Sequence, residues 1–438
     1  MVESLANLFF ERAGGCTLDV RVSPLAFRRR RPLREQIIPT LSPGKRIRTL
    51  YIKHNWAKIQ EIVGRWADAL SSLQVLDLNP DEPSLPSQST IFVGGALKDL
   101  KLFGLAVPGL DYIRAPNLTV FRLYDNFQTP CSATRLFDFL EVAPTLEEIS
   151  ICVDSTMVDD FSPPNRTITL PHARFILLSM QRSPQLASHL VCPSSTDTHL
   201  VDMFPDSPTD GIFPSSLHQL LGQYSVGMID RVIMRVSDRD GHKDCSLQLR
   251  TPSDTRFRIT CSTAYLPETF PEDLDPEWTF SVLLDKTVST LSSLPLGNVT
   301  ALSIDIEPSP SDSTADSTEI VRRFAEVFEK CPKLHEMVLE HYHPRCLSVL
   351  SRDRTPPIQV LIIKHLEDKS MEEVSWEEFA EGVAEVARIR HSRGVPLKRV
   401  EVIVTSEENR RIERLESWVQ EVKYRVEPSQ KSGRDLWS

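Results

Sequence analysis

The chain has 438 residues, 25% charged and 40% apolar, which is the composition of an ordinary soluble globular protein. Its net charge is −10, but residues 1–58 hold twelve Lys or Arg against four Asp or Glu. An acidic body with one basic end argues against nucleic-acid binding, which needs a continuous basic surface. No stretch approaches the ~18 apolar residues of a transmembrane helix, and the N-terminus does not resemble a signal peptide. We therefore expect no membrane association and a cytoplasmic or nuclear location.

One short pattern, L-x-x-L-x-L, recurs along the chain. It is clearest in SLQVLDLN, residues 72–79, where Leu73, Leu76 and Leu78 supply the three apolar positions. Successive copies in this region start 24, 21 and 28 residues apart, the spacing of one strand plus one return segment. This pattern is the strand segment of a leucine-rich repeat. Twelve copies are traceable, starting at Ile47, Leu73, Leu97, Leu118, Leu146, Ala173, Thr198, Ile229, Val299, Leu334, Ile358 and Leu397.

The repeats predict an α/β fold, a leucine-rich-repeat solenoid or horseshoe with a parallel sheet on its concave side. Each repeat can bury its apolar strand face only against its own return segment and its neighbours. The predicted organisation is an N-terminal cap at 1–45, repeats at 46–234, a β-flap and helix at 235–295, repeats at 296–405, and a C-terminal cap and tail at 406–438.

The ends and the insertion carry their own patterns. CTLDVRV at 16–22 alternates apolar and polar residues and predicts a cap strand beside the first repeat. The 70 residues between the repeats at 229 and 299 predict a three-stranded antiparallel flap that branches off the solenoid. A helix is expected to open at the capping box Ser375–Glu378 and to end at Gly394. A helix at 406–421 and a strand at 424–426 are expected to close the array.

Several segments together resemble a known family. The opening LFFERAGGCTLDVRV, the irregular repeats, and a W-E-E-F helix followed by RHSRGVPLKRVEV are similar to fungal, mushroom-type F-box proteins with leucine-rich repeats. The resemblance implies that the repeats hold a protein target of a ubiquitin ligase. In that family an F-box ahead of the repeats binds a Skp-type adaptor. No L-P-x-E helical block precedes the repeats here. The resemblance therefore implies either a sequence that begins downstream of an F-box or a relative without an F-box. A Skp-type adaptor is expected only if an upstream F-box exists.

The exposed strand positions predict where a partner binds. Side chains alternate along a strand, so the residues on either side of the second leucine face the concave surface. Most repeats place a polar residue there, but three consecutive repeats place apolar ones beside an acid and a base. The predicted concave patch consists of Phe175, Leu177, Leu200, Asp202, Arg231 and Ile233. The alternatives are that the flap covers these side chains or that they reflect strand propensity alone.

The flap also has one strongly basic face. If its apolar residues share one face, the other carries Arg231 together with Arg235, Arg250, Arg256 and Arg258. Such a face could receive an acidic peptide or phosphate, or its arginines could pair with acidic loops of the same chain.

The remaining motifs have ordinary explanations. Arg28–Arg31 is a nuclear-import signal, a phosphate-binding patch or a solvated loop. His335, His341, His343 and Cys346 lack the spacing of a metal site, and the Asp159–Asp160 pair and the acids of 197–210 match no Ca²⁺ loop. No catalytic motif occurs. We expect a non-catalytic interaction protein without cofactor or metal and with an unknown protein target. A stand-alone scaffold is the alternative, and an enzyme is the remote one.

Overall fold

A computed structural model describes the residues that form the repeats and their return segments. The described residues are 12–13, 16–22, 46–80, 92–93, 95–103, 110, 113–125, 133–153, 166–180, 183–203, 229–239, 242–252, 255–262, 280–307, 317–340, 347–351, 355–365, 376–404, 412 and 414–426. The chain divides into two compact units, unit 1 from Met1 to Met203 and unit 2 from Phe204 to Ser438.

Unit 1 is built on parallel strands. Its elements in chain order are β1 (Thr17–Val22), β2 (Arg46–His54), α1 (Trp56–Arg65), β3 (Val75–Pro80), β4 (Phe92–Val93), β5 (Asp99–Phe103), β6 (Ile113–Arg114), β7 (Val120–Asp125), α2 (Ala133–Glu141), β8 (Glu148–Val153), β9 (Ile168–Thr169), β10 (Phe175–Ser179), α3 (Ser183–Ala187), β11 (Leu190–Val191) and β12 (Asp197–Met203). The main strands lie in the order β1-β2-β3-β5-β7-β8-β10-β12, and the short strands pair separately as β4 with β6 and β9 with β11.

Unit 2 begins with antiparallel strands and continues with parallel ones. Its elements are β13 (Arg231–Arg239), β14 (His242–Arg250), β15 (Arg256–Ser262), α4 (Phe280–Ser293), β16 (Ala301–Glu307), α5 (Ser317–Glu329), β17 (Glu336–Glu340), α6 (Leu347–Leu350), β18 (Val360–His365), α7 (Trp376–Ser392), β19 (Arg399–Val404) and β20 (Glu421–Val426). Its strands lie in the order β15-β14-β13-β16-β17-β18-β19-β20.

The leucine positions form the core, as the repeat pattern predicts. Leu73, Leu76 and Leu78 are each at most 1% exposed, and the equivalent residues of neighbouring strands lie beside them in register. The return segments pack on this apolar face: Phe139 of α2 contacts Phe121 of β7 with ring centroids 4.6 Å apart. The fold class is therefore an α/β leucine-rich-repeat solenoid, in which each strand buries one face and exposes the other.

All twelve repeat strands and both cap strands form where the sequence places them. β1 pairs in parallel with β2, with one irregularity after Leu18, and β20 pairs in parallel with β19. Helix α7 ends before Gly394, whose φ of +77° is the left-handed conformation that glycine adopts without strain. The predicted helix at 406–421 is wrong in its described part. That part holds only a 3₁₀ turn, Leu415–Ser417, because β20 already begins at Glu421.

The antiparallel trio is not a flap that branches off. β13 pairs antiparallel with β14 along one edge and parallel with β16 along the other, so β13, β14 and β15 extend the sheet of unit 2. The physical reason is the length of β13, whose nine residues can form backbone hydrogen bonds along both edges.

The described helices include none long and apolar enough to cross a membrane.

Candidate functional site

The exposed face of unit 1 presents side chains in rows that run across the strands. The register places Tyr51, Asp77, Lys101 and Arg122 side by side on β2, β3, β5 and β7, and Ser150 follows on β8. We call this line the central row. A neighbouring row contains Asp99, Val120, Glu148 and Phe175. Since adjacent parallel strands lie ~4.8 Å apart, each side chain can reach its neighbour on the next strand.

Acidic and basic side chains are interspersed on this face. Arg122 lies between Asp99 and Glu148, with nitrogen–oxygen distances of 3.3 Å and 3.2 Å. At the edge, Arg48 donates to Asp19 over 2.7 Å, and this hydrogen bond lowers the pKa of the Asp19 carboxyl. These charges are therefore largely compensated within the sheet itself.

Two further cations of this face lie over aromatic rings. Lys101 Nζ is 4.7 Å from the centroid of Phe103, which stacks on Tyr124 at 5.0 Å. Arg21 lies over Tyr51, 4.5 Å from its centroid. Such cation–π contacts hold long side chains against the sheet and leave aromatic surface at the solvent boundary.

Asp77 lies between these two cation–aromatic groups. Its Oδ1 is buried and has no hydrogen-bond partner, although Lys101 is its neighbour in the central row. Desolvation raises the pKa of the Asp77 carboxyl above its usual value. Lys101 and Arg21 act in the opposite direction and Asp99 adds to the increase. The carboxyl lines an open hollow of about 460 Å³ over β1, β2 and β3, together with Arg21, Thr49, Tyr51 and Val75.

The structure corrects the predicted concave patch at Leu200. Leu200 is fully buried and pairs with Leu178 of the core, so it does not face solvent. The predicted register of β12 is three residues out, because Thr198 and not Val201 lies beside Ile176, and a shift by an odd number of residues exchanges the two faces of a strand. Thr196 and Thr198 are buried in this repeat, and Thr196 Oγ1 satisfies its hydrogen bond on the Ala173 carbonyl at 2.8 Å.

Phe175 and Leu177 do lie on the exposed face, where both are half-buried. Their neighbours on β12 are Asp197 and His199, not Leu200, and Phe175 meets the His199 ring edge-on at 5.5 Å. The side chain of Asp202 lies outside the described residues. The binding role of Phe175 and Leu177 stays a prediction.

Arg231 and Ile233 have different neighbours from those predicted. Both edges of β13 are taken by strands of unit 2, so Arg231 pairs with Arg250 and Ala301, and Ile233 with Gln248 and Ser303. The assumption that β12 and β13 are adjacent strands is therefore wrong, and the six residues do not form one patch on three adjacent repeats. The long connection between them contained no pattern that would have revealed this.

The arginines of the antiparallel trio share one face of unit 2. Val232, Met234, Val236, Leu247, Leu249, Phe257 and Ile259 are buried on the other face. We call Arg231, Arg235, Arg250, Arg256 and Arg258 the arginine face. The register places Arg231 opposite Arg250 and Arg250 opposite Arg256, so three of them form a single row across β13, β14 and β15.

The other two arginines lie beside this row. Arg235 Nε is 2.5 Å from Asp305 Oδ2 of β16. Arg258 is opposite Gln248, and its pKa is lowered, first by desolvation and then by the positive charge of Arg235, with Asp244 acting the other way. With its amide turned to match the donors, Gln248 accepts from Arg250 Nε at 3.1 Å. Ligand binding at this face stays a prediction.

Two features of these surfaces were missed at the level of sequence. The first is the Asp77 Oδ1 atom, which has no hydrogen-bond partner, and the second is the alignment of three arginines in one row. Asp77 occupies the same exposed position as Tyr51 and Lys101, so the repeat pattern does contain a signal for the central row. The arginine row depends on hairpin register. Asp240-Gly241, the sequence signal of a two-residue hairpin turn, could have predicted that Arg231 lies opposite Arg250.

The other predicted residues fall mostly outside the described ranges. Arg28–Arg31, Asp159, Asp160, His341, His343 and Cys346 all lie outside them, and His335 is exposed. Within the described part of the chain, no three His, Cys, Asp or Glu side chains group as a metal site would require. Burial raises the pKa of the Cys331 thiol to about 12, which keeps it protonated and unreactive at neutral pH.

Comparison with known proteins adds little beyond this architecture. No family model and no curated protein matches the sequence. Among solved structures, the crystal structure of a TLR13–ssRNA13 complex is similar, with 11% sequence identity and a TM-score of 0.34. The similarity covers 89% of this chain and 47% of that chain, so this chain spans about half of that protein's length. At this level the similarity carries no argument about ligand or activity.

Proposed function

We propose that this chain is a non-catalytic protein-interaction scaffold whose exposed strand faces bind a partner protein. The observation that carries the proposal is the central row with its neighbours. Regularly spaced charged and aromatic side chains cross the sheet of unit 1 and contribute nothing to its leucine core. Interfaces are enriched in arginine and aromatic residues of this kind.

The charged side chains of this face are held in place before a partner binds, which favours recognition. Arg122 is fixed by two carboxylates, and Lys101 is fixed over an aromatic pair. Side chains held in place before binding lose less conformational entropy when a partner docks, so more of the contact energy appears as affinity. A rigid repeat sheet of this type suits a partner that contacts several strands at once.

The finer proposal is that the scaffold is the substrate-recognition region of an F-box-type ubiquitin-ligase receptor. The support is the resemblance of its opening, its repeats and its W-E-E-F helix to the mushroom-type F-box family. The partner would then be a protein marked for ubiquitination. The alternative is a scaffold with the same binding faces and no role in ubiquitination.

Adaptor binding separates these two versions. We expect the chain of 438 residues not to co-purify with a Skp-type adaptor, and a version extended by an upstream F-box reading frame to do so. The measurement is co-purification of coexpressed, tagged proteins. If no upstream frame encodes L-P-x-E followed by an aliphatic helix, the ubiquitin version fails and the stand-alone scaffold is kept. Robust adaptor binding by the unextended chain also contradicts the proposed arrangement.

Site-specific photo-crosslinking tests the scaffold proposal itself. A photoreactive amino acid replaces Thr49 on the exposed face of unit 1, and a matched one replaces Arg135, which is exposed on α2 of the opposite face. Specific crosslinks to one protein from Thr49 but not from Arg135 are expected in cells of the source organism. Equal crosslinking from both positions would contradict binding through the strand face.

A further inference from the structure

The carboxyl group of Asp77 differs from its neighbours on the exposed face of unit 1. Asp19 is paired with Arg48 at 2.7 Å, and Asp99 is paired with Arg122 at 3.3 Å. Asp77 Oδ1 is instead buried and has no hydrogen-bond partner among the described residues. A carboxylate oxygen in this state has lost hydration without a compensating contact, which costs free energy.

The two cations that act on Asp77 are held over aromatic rings. Desolvation raises the pKa of Asp77, and the charges of Lys101 and Arg21 oppose this increase. Lys101 Nζ lies 4.7 Å from the Phe103 centroid, however, and the Arg21 guanidinium lies 4.5 Å from the Tyr51 centroid. Because an ionised carboxylate offers about four acceptor sites, Asp77 can still accept hydrogen bonds from a ligand.

The hollow beside Asp77 has the size and lining of a binding site. Its volume of about 460 Å³ lies within the range of roughly 300–1,000 Å³ that is usual for ligand pockets. Val20 and Val75 contribute apolar surface, and Thr49 and Tyr51 contribute hydroxyl groups. Lysine and arginine side chains combine an apolar stem with a charged head, so they match a hollow with apolar walls and a carboxylate.

Resting on the scaffold function proposed above, we propose that this hollow receives a lysine or arginine side chain of the partner protein, with its charged head on Asp77. The ammonium or guanidinium group donates a charge-assisted hydrogen bond to the carboxylate. The apolar stem packs against Val75. Since the charge of an ionised carboxyl is shared by both oxygens, a cation in the hollow also compensates the buried Oδ1 atom.

The charges of the lining favour a basic side chain over an acidic one. Two carboxylates, Asp19 and Asp77, line the hollow against one cation, Arg21, and that cation already lies over Tyr51. An acidic side chain would meet the repulsion of these carboxylates.

The position of the hollow favours a polypeptide over a free amine. Tyr51 and Asp77 belong both to the hollow and to the central row, which continues through Lys101 on β5 and Arg122 on β7. A polypeptide with one side chain in the hollow can continue along this row and contact several strands. A free amine gains only the contact with the carboxylate.

A positional peptide library tests this proposal on the full chain. The immobilised protein is mixed with short peptides that are random except for one fixed residue, which is arginine, lysine, citrulline, glutamate or leucine. Arginine or lysine is expected to be enriched over citrulline, the uncharged analogue of arginine. Fluorescence anisotropy then measures the affinity of a selected basic peptide.

Two aspartate substitutions provide the main comparison. Asp77→Asn is expected to weaken binding of the selected peptide about tenfold, the effect of one lost charge-assisted contact. Asp68→Asn removes the same charge from an exposed residue between α1 and β3, and is expected to change the affinity less than twofold. Equal loss in both variants would reduce the effect to general electrostatics and overturn the site.

Val75→Lys provides a test that keeps the carboxylate. Residues 75 and 77 lie on the same face of β3, so a lysine at position 75 can reach Asp77 and also occupies the hollow. This variant is expected to lose binding of the selected peptide while its melting temperature stays unchanged or rises. Unchanged binding in both Val75→Lys and Asp77→Asn would overturn the proposal.

The remaining outcomes separate the ligand from the function. Enrichment of glutamate over arginine and lysine overturns the sign of the ligand charge, and tighter binding of spermidine than of the selected peptide overturns the choice of a polypeptide. A clearly lower melting temperature of Asp77→Asn at neutral pH would show that the carboxylate is already stabilised within the chain, which also overturns the site. If no basic peptide is enriched while crosslinking from Thr49 succeeds, the scaffold function stands without this site.

Discussion

The exposed face of unit 1 and the arginine face of unit 2 differ in how their charged side chains are arranged. In unit 1, Arg122 lies between the carboxylates of Asp99 and Glu148, although Lys101 is its neighbour on β5. In the antiparallel trio of unit 2, Arg231, Arg250 and Arg256 lie opposite one another in a single row. The parallel strands of unit 2 also bring opposite charges together, as in the contact of Arg425 with Glu401 at 2.9 Å.

The difference lies in the neighbours that the strand register supplies. In unit 1, the carboxylates of Asp99 and Glu148 lie beside Arg122 and stabilise its charge. In the trio, each pair of opposed arginines adds a repulsion that the other contacts of these side chains must offset. Loss of an arginine should consequently cost less stability in the trio than in unit 1.

The largest expected effect on stability comes from a substitution in β12 that tests which of its side chains are buried. Leu200→Ala is expected to lower the free energy of unfolding by ~3 kcal/mol, because Leu200 is a fully buried core residue and the substitution leaves a cavity. Urea denaturation of the purified variant measures this change.

Two neighbouring substitutions provide the controls for Leu200. Val201→Ala and Phe175→Ala remove side chains that are half-buried on the exposed face, and each is expected to cost about 1 kcal/mol or less. A small effect of Leu200→Ala with a large effect of Val201→Ala would restore the register that the sequence suggested. If Phe175 is a contact for the partner, its substitution lowers affinity while the melting temperature stays nearly the same.

Strand β12 shows where the sequence alone no longer predicts which side chains are buried. Eleven repeats have an apolar residue at the first position of the pattern, and for these the predicted strands and their buried faces are correct. In the repeat of β12, Thr196 and Thr198 replace leucines, so apolar spacing alone selected Val201 over Leu200. The buried hydroxyl of Thr196 is acceptable only because the Ala173 carbonyl lies within reach, and this contact depends on the folded neighbour.

The candidate sites were less predictable than the core for a related reason. Alternation correctly separates the arginines of the trio from its apolar residues, since that depends only on neighbours along one strand. Which arginine opposes which depends on hairpin register, and which strand borders β13 depends on where the chain returns after the hairpins. Asp77 Oδ1 has no hydrogen-bond partner because Lys101 lies over the Phe103 ring and does not bond to this oxygen. The spacing of residues does not decide which of these two contacts Lys101 makes.

A smaller effect distinguishes the two faces by the stability that an arginine contributes. Arg122→Gln is expected to lower the free energy of unfolding by roughly 0.5–1 kcal/mol, because it leaves Asp99 and Glu148 without their shared cation. The loss should shrink at high salt, which screens exposed charges. Urea titrations at low and high salt measure it beside Arg250→Gln. Destabilisation of equal size by both variants would show that the two faces do not differ in the proposed way.

The smallest effect is a pH dependence within the exposed face of unit 1, where Asp77 and Asp19 should respond in opposite directions. The pKa of Asp77 is raised by desolvation, so its contribution to stability is complete below its unfolded pKa of roughly 4 and is lost as pH rises through the folded pKa. Asp77→Asn should therefore gain stability relative to the unsubstituted protein as pH rises from about 4 and then stay level.

The pKa of Asp19 is lowered, first by its hydrogen bond from Arg48. Its contribution to stability is therefore present above the usual pKa of an aspartate and is lost as pH falls. Asp19→Asn should therefore lose stability relative to the unsubstituted protein as pH rises toward about 4, and stay level above it. Urea unfolding at a series of pH values measures both variants. A fall in the relative stability of Asp77→Asn with rising pH would mean that Lys101 and Arg21 outweigh desolvation, and that the carboxyl over the hollow is already satisfied within the chain.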